Sequence, residues 1–269
     1  MTAVMPRTQD ELGRDFRDLH RGAGFVIPNP WDAGSARVLA ALGFKALATT
    51  SSGFAFTLGR RDGDVTLDEV TGHLRDLAAA ADLPLSVDIE NGYGRAPEQA
   101  ARAVTLVAEA GAVGGSIEDF DRDEGIYGVD FAAERIAAAT EAARALDFPF
   151  TLTARAENFI RGNPDLGDTI ARLQAYERAG ADVLYAPGLS RIEDIRAVCD
   201  ATSKPINVLA RRDLTAAAIF DAGARRISLG GALAFTAIHA FAKAAVEIRD
   251  RGEFGSLSAP PELAEWLGD

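Results

Sequence analysis

Asp88 ends the short apolar run that begins at Leu85, Glu90 stands two residues beyond it, and Glu118 ends a second such run, Ser116 to Glu118. Carboxylates that converge repel one another, and each takes up a proton unless a cation neutralises the group. A divalent ion meets that need. The ligands on offer are hard oxygens with no thiol or imidazole among them, a set that favours Mg²⁺ or Mn²⁺ over zinc. Any one of the three reads equally well as a helix cap or an ion-pair partner, whereas three after adjacent strands point to a metal site. Asp119 follows Glu118 directly, and other apolar runs are followed by polar groups as well: Asn29, Trp31 and Asp32; Thr50, Ser51 and Ser52; Arg155 and Glu157.

The elements that would carry these residues alternate regularly. Short β-type runs lie at Phe25 to Ile27, Ala46 to Thr50, Leu85 to Asp88, Ser116 to Glu118, Thr151 to Ala154, Val183 to Tyr185, Ile206 to Leu209 and Arg226 to Leu229. Longer helical patterns separate them, as expected for parallel strands joined by crossover helices. Eight such units in 269 residues predict a single (β/α)₈ TIM barrel spanning 1–269, with its active site at the C-terminal ends of the strands. Thr66 with Glu69 reads as a capping box and Pro97 as a first helical turn. Glycines 43, 111, 180 and 223 stand where helices must end in a left-handed cap. A helix at Asp10 to His20 and a C-terminal extension containing Pro260, Pro261 and Trp266 fall outside the eightfold pattern, suited to capping the barrel or exchanging between subunits.

Composition removes several function classes. A formal charge of -12 with no basic stripe argues against a nucleic-acid partner. No run is long enough to span a bilayer, and the first residues lack the apolar core of a signal peptide, so the expected location is the cytoplasm and no membrane partner is expected. The one cysteine, Cys199, sits mid-helix and reads as packing. His20, His73 and His239 fall in helical patterns, where solvated or packed roles are the ordinary ones.

Three runs together resemble the isocitrate lyase / phosphoenolpyruvate mutase superfamily: Asp88-Ile89-Glu90-Asn91-Gly92-Tyr93-Gly94, Gly115-Ser116-Ile117-Glu118-Asp119 and Thr153-Ala154-Arg155-Ala156-Glu157. The likeness begins at Pro28-Asn29-Pro30-Trp31-Asp32 and extends to about Gly230. It implies that Asp88, Glu90 and Glu118 hold Mg²⁺, partly through water, and that the ion chelates the carboxylate and 2-oxo oxygen of a pyruvate-like unit. It also implies that Arg155 binds substrate and stabilises an enolate, that Thr50, Ser51 and Ser52 hold the substrate carboxylate, and that Asp62 stands at the mouth. Trp31, Glu157 and Asn207 join the substrate-binding set on the same resemblance, the last two with an equal claim to orienting Arg155 or ending a strand. Family members are commonly tetramers that swap the last barrel helix. A homo-oligomer, either a tetramer or a dimer with that helix exchanged, is therefore expected.

The chain also departs from the family. Where the lyases carry Lys-Lys-Cys-Gly-His after the fourth strand, it reads Phe120-Asp121-Arg122-Asp123-Glu124-Gly125-Ile126-Tyr127-Gly128, so no acid thiol arises there. The loop lysine and later histidine of the mutases are missing, the second position falling in Tyr185-Ala186-Pro187-Gly188. The metal and enolate half of the chemistry remains, with Tyr127 and Tyr185 as candidate proton donors, Gly125 and Gly128 suited to a lid, and Arg122 a further cation. The leading expectation is an enzyme, a carbon-carbon lyase or decarboxylase of a small 2-oxo or 2-hydroxy dicarboxylate. Two others stand beside it: a phosphonopyruvate-type carbon-phosphorus hydrolase or carboxyphosphonate mutase, and a non-catalytic binder of 2-oxo acids.

Overall fold

The computed structural model of the protein describes residues 6–267. Its eight parallel barrel strands are β1 (Phe25–Ile27), β2 (Leu47–Ala48), β3 (Leu85–Asp88), β4 (Gly114–Glu118), β7 (Thr151–Arg155), β8 (Val183–Tyr185), β9 (Ile206–Leu209) and β10 (Arg226–Ser228). The short strands β5 (Phe120–Asp121) and β6 (Gly125–Ile126) form an antiparallel hairpin outside the barrel. Around the circle the ladder runs β1-β10-β9-β8-β7-β4-β3-β2. The Ala48 amide donates to the Pro28 carbonyl at 3.0 Å, bringing β2 against the end of β1 and nearly closing the ring. Each expected strand is present, although the second is shorter than Ala46 to Thr50: Thr50 has already turned to cap a helix.

The helices are α1 (Gln9–Leu19), α2 (Ala33–Ala41), α3 (Ser51–Thr57), α4 (Leu67–Ala80), α5 (Pro97–Glu109), α6 (Val129–Arg144), α7 (Leu166–Arg178), α8 (Ile192–Ala201), α9 (Ala216–Asp221), α10 (Ala232–Arg251) and α11 (Leu263–Leu267). Thr66 and Glu69 form the expected capping box, and Pro97 opens α5. Gly43, Gly111, Gly180 and Gly223 all have positive φ, between 86° and 111°, where a side chain would strain the turn into the next strand.

Alanine, valine, leucine and isoleucine from the strands and the inner helix faces make one continuous core. A smaller cluster seals the bottom. Phe16 of α1 is fully buried with Ile27, Ala46 and Val113, and its ring occupies the space that a side chain at Gly114 would need. The opposite end is left open for polar residues. Helix α10 buries only Ala234, while Phe235 is 49% and Phe241 73% exposed. Among the described residues no helix is long and apolar enough to cross a membrane.

Candidate active site

Asp88 is held at the strand end from both sides. Its amide donates to Thr49 Oγ1 at 2.9 Å, and its carboxylate accepts from Ser51 Oγ at 3.3 Å and from the Glu90 amide at 3.2 Å. Pairing between β3 and β4 continues past the strand ends, since Glu118 N donates to Glu90 O at 2.8 Å. Glu90 adopts φ 46°, a conformation uncommon for a residue with a side chain and one that concentrates at functional sites. That turn holds Glu90 at the mouth beside Glu118, whose side chain is only 10% exposed.

Arg155, at the end of β7, faces both acids. Its Nη1 lies 3.3 Å from Glu118 Oε2 and 3.6 Å from Asp88 Oδ2, while its Nε donates to the fully buried Glu157. Tyr185 lies beneath, with the guanidinium carbon 5.4 Å from the ring centroid. Behind the site Asp119 fastens the frame. Its Oδ1 accepts from the Glu157 amide at 2.8 Å, and its Oδ2 accepts from Arg172 at 2.9 Å and from the Tyr176 hydroxyl.

Two cavities meet here, sharing Ser51, Asp62 and Arg155. The outer one, about 370 Å³, is lined by Asp62, Glu90, Tyr93, Glu118, Arg122 and Arg161; the inner one, about 180 Å³, reaches down to Thr50, Ser52, Asp88, Tyr185, Asn207 and Arg226. On the inner wall Asn207 accepts from Arg226 Nε at 2.8 Å and donates to Ser228 at 2.9 Å.

Burial first, and then the charges of Asp88 and Asp62, push the Glu90 carboxyl up to about 7. Glu118 is pushed well above the usual carboxylate range, by burial and by Glu157 and Asp88 against the opposing pull of Arg155. Burial also works against the charge of Arg155, but Glu118, Glu157 and Asp88 together hold its guanidinium well above the ordinary value. The site is thus acidic and short of positive charge. Glu90 Oε1 is buried and accepts no hydrogen bond from the described residues, a demand that a cation or its bound water would satisfy. All the donors are oxygens suited to Mg²⁺ or Mn²⁺. Among the described residues no three acidic, histidine or cysteine side chains already stand in chelating geometry, and Arg155 shares out the neutralising charge between Asp88 and Glu118. The residues fit a divalent ion in kind.

Residues 16–249 match the family model described as phosphoenolpyruvate phosphomutase. The chain belongs to that family. It is accordingly an enzyme of the isocitrate lyase / phosphoenolpyruvate mutase superfamily, among carbon-carbon lyases. A solved structure from Burkholderia cenocepacia J2315 is 50% identical, covers 97% of each chain and superposes with a TM-score of 0.94. An oxaloacetate decarboxylase of Bradyrhizobium diazoefficiens is 31% identical over 94% of this chain and 88% of its own. The structure of oxaloacetate acetylhydrolase in complex with the product oxalate is 28% identical, covers 96% of this chain and 94% of its own, and has a TM-score of 0.86.

Within this phosphomutase-family barrel, most of the residues singled out in the sequence converge: Thr50, Ser51, Ser52, Asp62, Asp88, Glu90, Glu118, Arg155 and Asn207 all line the two joined cavities. Two do not. Trp31 lines a separate outer groove with Phe54 and His73, because the chain turns into α2 just beyond it. The Tyr127 hydroxyl is buried against Asn91 and Asp121, at 3.1 and 3.3 Å, and does not reach the cavity. Glu157 lies behind Arg155 and positions it. The three histidines stand elsewhere: His20 at the barrel floor against Arg226, His73 stacked on Phe54, and His239 exposed on α10. Cys199 is half-buried, and burial pushes its thiol up to about 11. Sequence reasoning missed two residues. Tyr93 lines the outer cavity with a buried hydroxyl that has no partner among the described residues, and its glycine-flanked place in the first motif was the available signal. For Arg161 nothing in the local pattern stood out.

Proposed function

We propose that the protein is a divalent-metal-dependent lyase or decarboxylase that breaks a carbon-carbon bond in a small 2-oxo or 2-hydroxy dicarboxylic acid. The observation that carries this reading is Arg155, oriented by Glu157 where the inner and outer cavities join and aimed between Asp88 and Glu118. Asp88, Glu90 and Glu118 would hold Mg²⁺ or Mn²⁺, and the bound ion would supply positive charge to the carboxylate and 2-oxo oxygens of the substrate. The hydroxyls of Thr50, Ser51 and Ser52 and the amides of the first turn of α3 receive the substrate carboxylate. Arg155 turns its terminal nitrogens to the 2-oxo oxygen and stabilises the negative charge that collects there as the bond to C3 breaks. With Glu157 fixing its Nε, this guanidinium needs little reorganisation at that moment. Asn207 and Tyr185 bound the inner wall, and Tyr93 offers a hydrogen bond from the outer one.

The hairpin stands over the mouth. Arg122 donates to Asp64 at 2.9 Å and occupies space that only a glycine at position 63 allows, so the hairpin and the Asp62 loop are tied together. Tied in this way, the two loops screen the reacting carbon from water. We also infer a homo-oligomer, a tetramer or a dimer, in which α10 packs its exposed phenylalanines on a second copy.

The test is a panel of oxaloacetate, dimethylmalate, methylisocitrate and phosphonopyruvate, each with Mg²⁺, followed by release of the keto-acid product. Turnover of a carbon-carbon substrate is expected. Turnover of phosphonopyruvate alone would move the reaction to a carbon-phosphorus bond, and thermal stabilisation without turnover would mark a binding protein.

A further inference from the structure

Arg161 is the second guanidinium held at this mouth, and the reaction described above gives it no task. It follows the 3₁₀ turn Asn158–Ile160 beyond β7. Two contacts hold it in place. Its Nε donates to Glu157 Oε2 at 2.9 Å, and its guanidinium carbon lies 3.8 Å from the centroid of the Phe120 ring. Glu157, fully buried, thus takes the Nε of both Arg155 and Arg161, and each arginine keeps its terminal nitrogens for the cavity. Those of Arg161 donate no hydrogen bond among the described residues. One of them lies 3.9 Å from Glu118 Oε1, beyond hydrogen-bond reach, while the other oxygen of Glu118 faces Arg155 at 3.3 Å. The two cations therefore flank one carboxylate, the inner side chain 16% and the outer 36% exposed.

A guanidinium already immobilised by a buried acid and an aromatic face has lost much of the entropy that binding would otherwise remove. Its free edge presents paired N–H groups, the geometry that a carboxylate accepts with two parallel hydrogen bonds. Resting on the reading that a 2-oxo acid occupies the Asp88 and Arg155 end, we propose that Arg161 binds the distal carboxylate of the substrate and so selects 2-oxo dicarboxylates over 2-oxo monocarboxylates. A role confined to holding the hairpin through Phe120 would affect both ligand classes alike.

Calorimetric titration of the Mg²⁺-loaded protein with pyruvate, oxalate and 3,3-difluorooxaloacetate separates these roles, since the last ligand carries the distal carboxylate and pyruvate does not. In Arg161→Gln the affinity for 3,3-difluorooxaloacetate is expected to fall roughly ten- to a hundredfold, as for loss of a charged hydrogen-bond partner, with pyruvate and oxalate unchanged. Arg161→Lys should recover part of the loss. Equal losses for all three ligands, or no loss for any, would overturn the assignment. Equal affinity of the wild type for pyruvate and 3,3-difluorooxaloacetate would defeat this inference alone. Failure of the wild type to bind any of the three would defeat the underlying site reading and the inference with it.

Discussion

Glu90 concentrates the electrostatic problem of the mouth in one side chain. Its carboxyl titrates near 7 in the folded protein and near 4.5 when unfolded, so the folded state holds the proton more tightly between those values. Its ionisation therefore opposes folding increasingly as pH rises from 4.5 to 7, and an ion that needs the carboxylate must displace a proton at the lower end. Mg²⁺ is expected to raise the melting temperature more at pH 8 than at pH 6, with proton release on binding at pH 6.5. A Mg²⁺ effect independent of pH would count against Glu90 as a ligand. At this scale much was legible. Asp88, Glu90, Glu118 and Arg155 each stand at or just past a strand end, and in a barrel that position alone aims them at the mouth. Trp31, expected from its place after a strand, and Tyr127, expected from its glycine-flanked loop, lie outside the two cavities, because neither signal settles which way a side chain leaves the backbone. The double pairing of Glu157, with arginines two residues before it and four after it, depends on the 3₁₀ turn Asn158–Ile160, which the strand pattern does not announce.

The elements were legible where hydrophobic periodicity and glycine caps agree, as for all eight barrel strands and the helix ends at Gly111 and Gly180. The hairpin was not, since Phe120–Asp121 and Gly125–Ile126 are too short to show alternation and read simply as a loop. The floor carries a constraint visible only in three dimensions. A Cβ on Gly114 would lie 2.6 Å from the Phe16 ring and 2.9 Å from the Thr151 carbonyl. The ring can shift but the strand backbone cannot, so Gly114→Ala should destabilise the protein by roughly 1–3 kcal/mol, as overpacking does. Denaturant unfolding checks this. Because the change lies at the barrel end opposite the mouth, ligand affinity of the folded variant should be unchanged.

For the whole molecule, the net charge of -12 and the polar mouth suit a small anionic ligand only if the protein concentrates positive charge locally. Arg155, Arg161, Arg122 and a divalent ion would do so together. The other large-scale feature is α10, whose apolar side chains Phe235, Phe241 and Val246 a monomer leaves exposed to water. Light scattering after size exclusion should report a dimer or tetramer, and Phe241→Glu should lower the assembly; a monomeric wild type would refute the exchange of α10. On the proposed mechanism, the acids of the mouth seat a cation on which a 2-oxo acid binds. Titrating oxalate into wild type and Asp88→Ala, with and without Mg²⁺, tests it most directly. Binding should require Mg²⁺ in the wild type and be lost in the variant, whereas equal binding without the ion, or unchanged binding in Asp88→Ala, would contradict it.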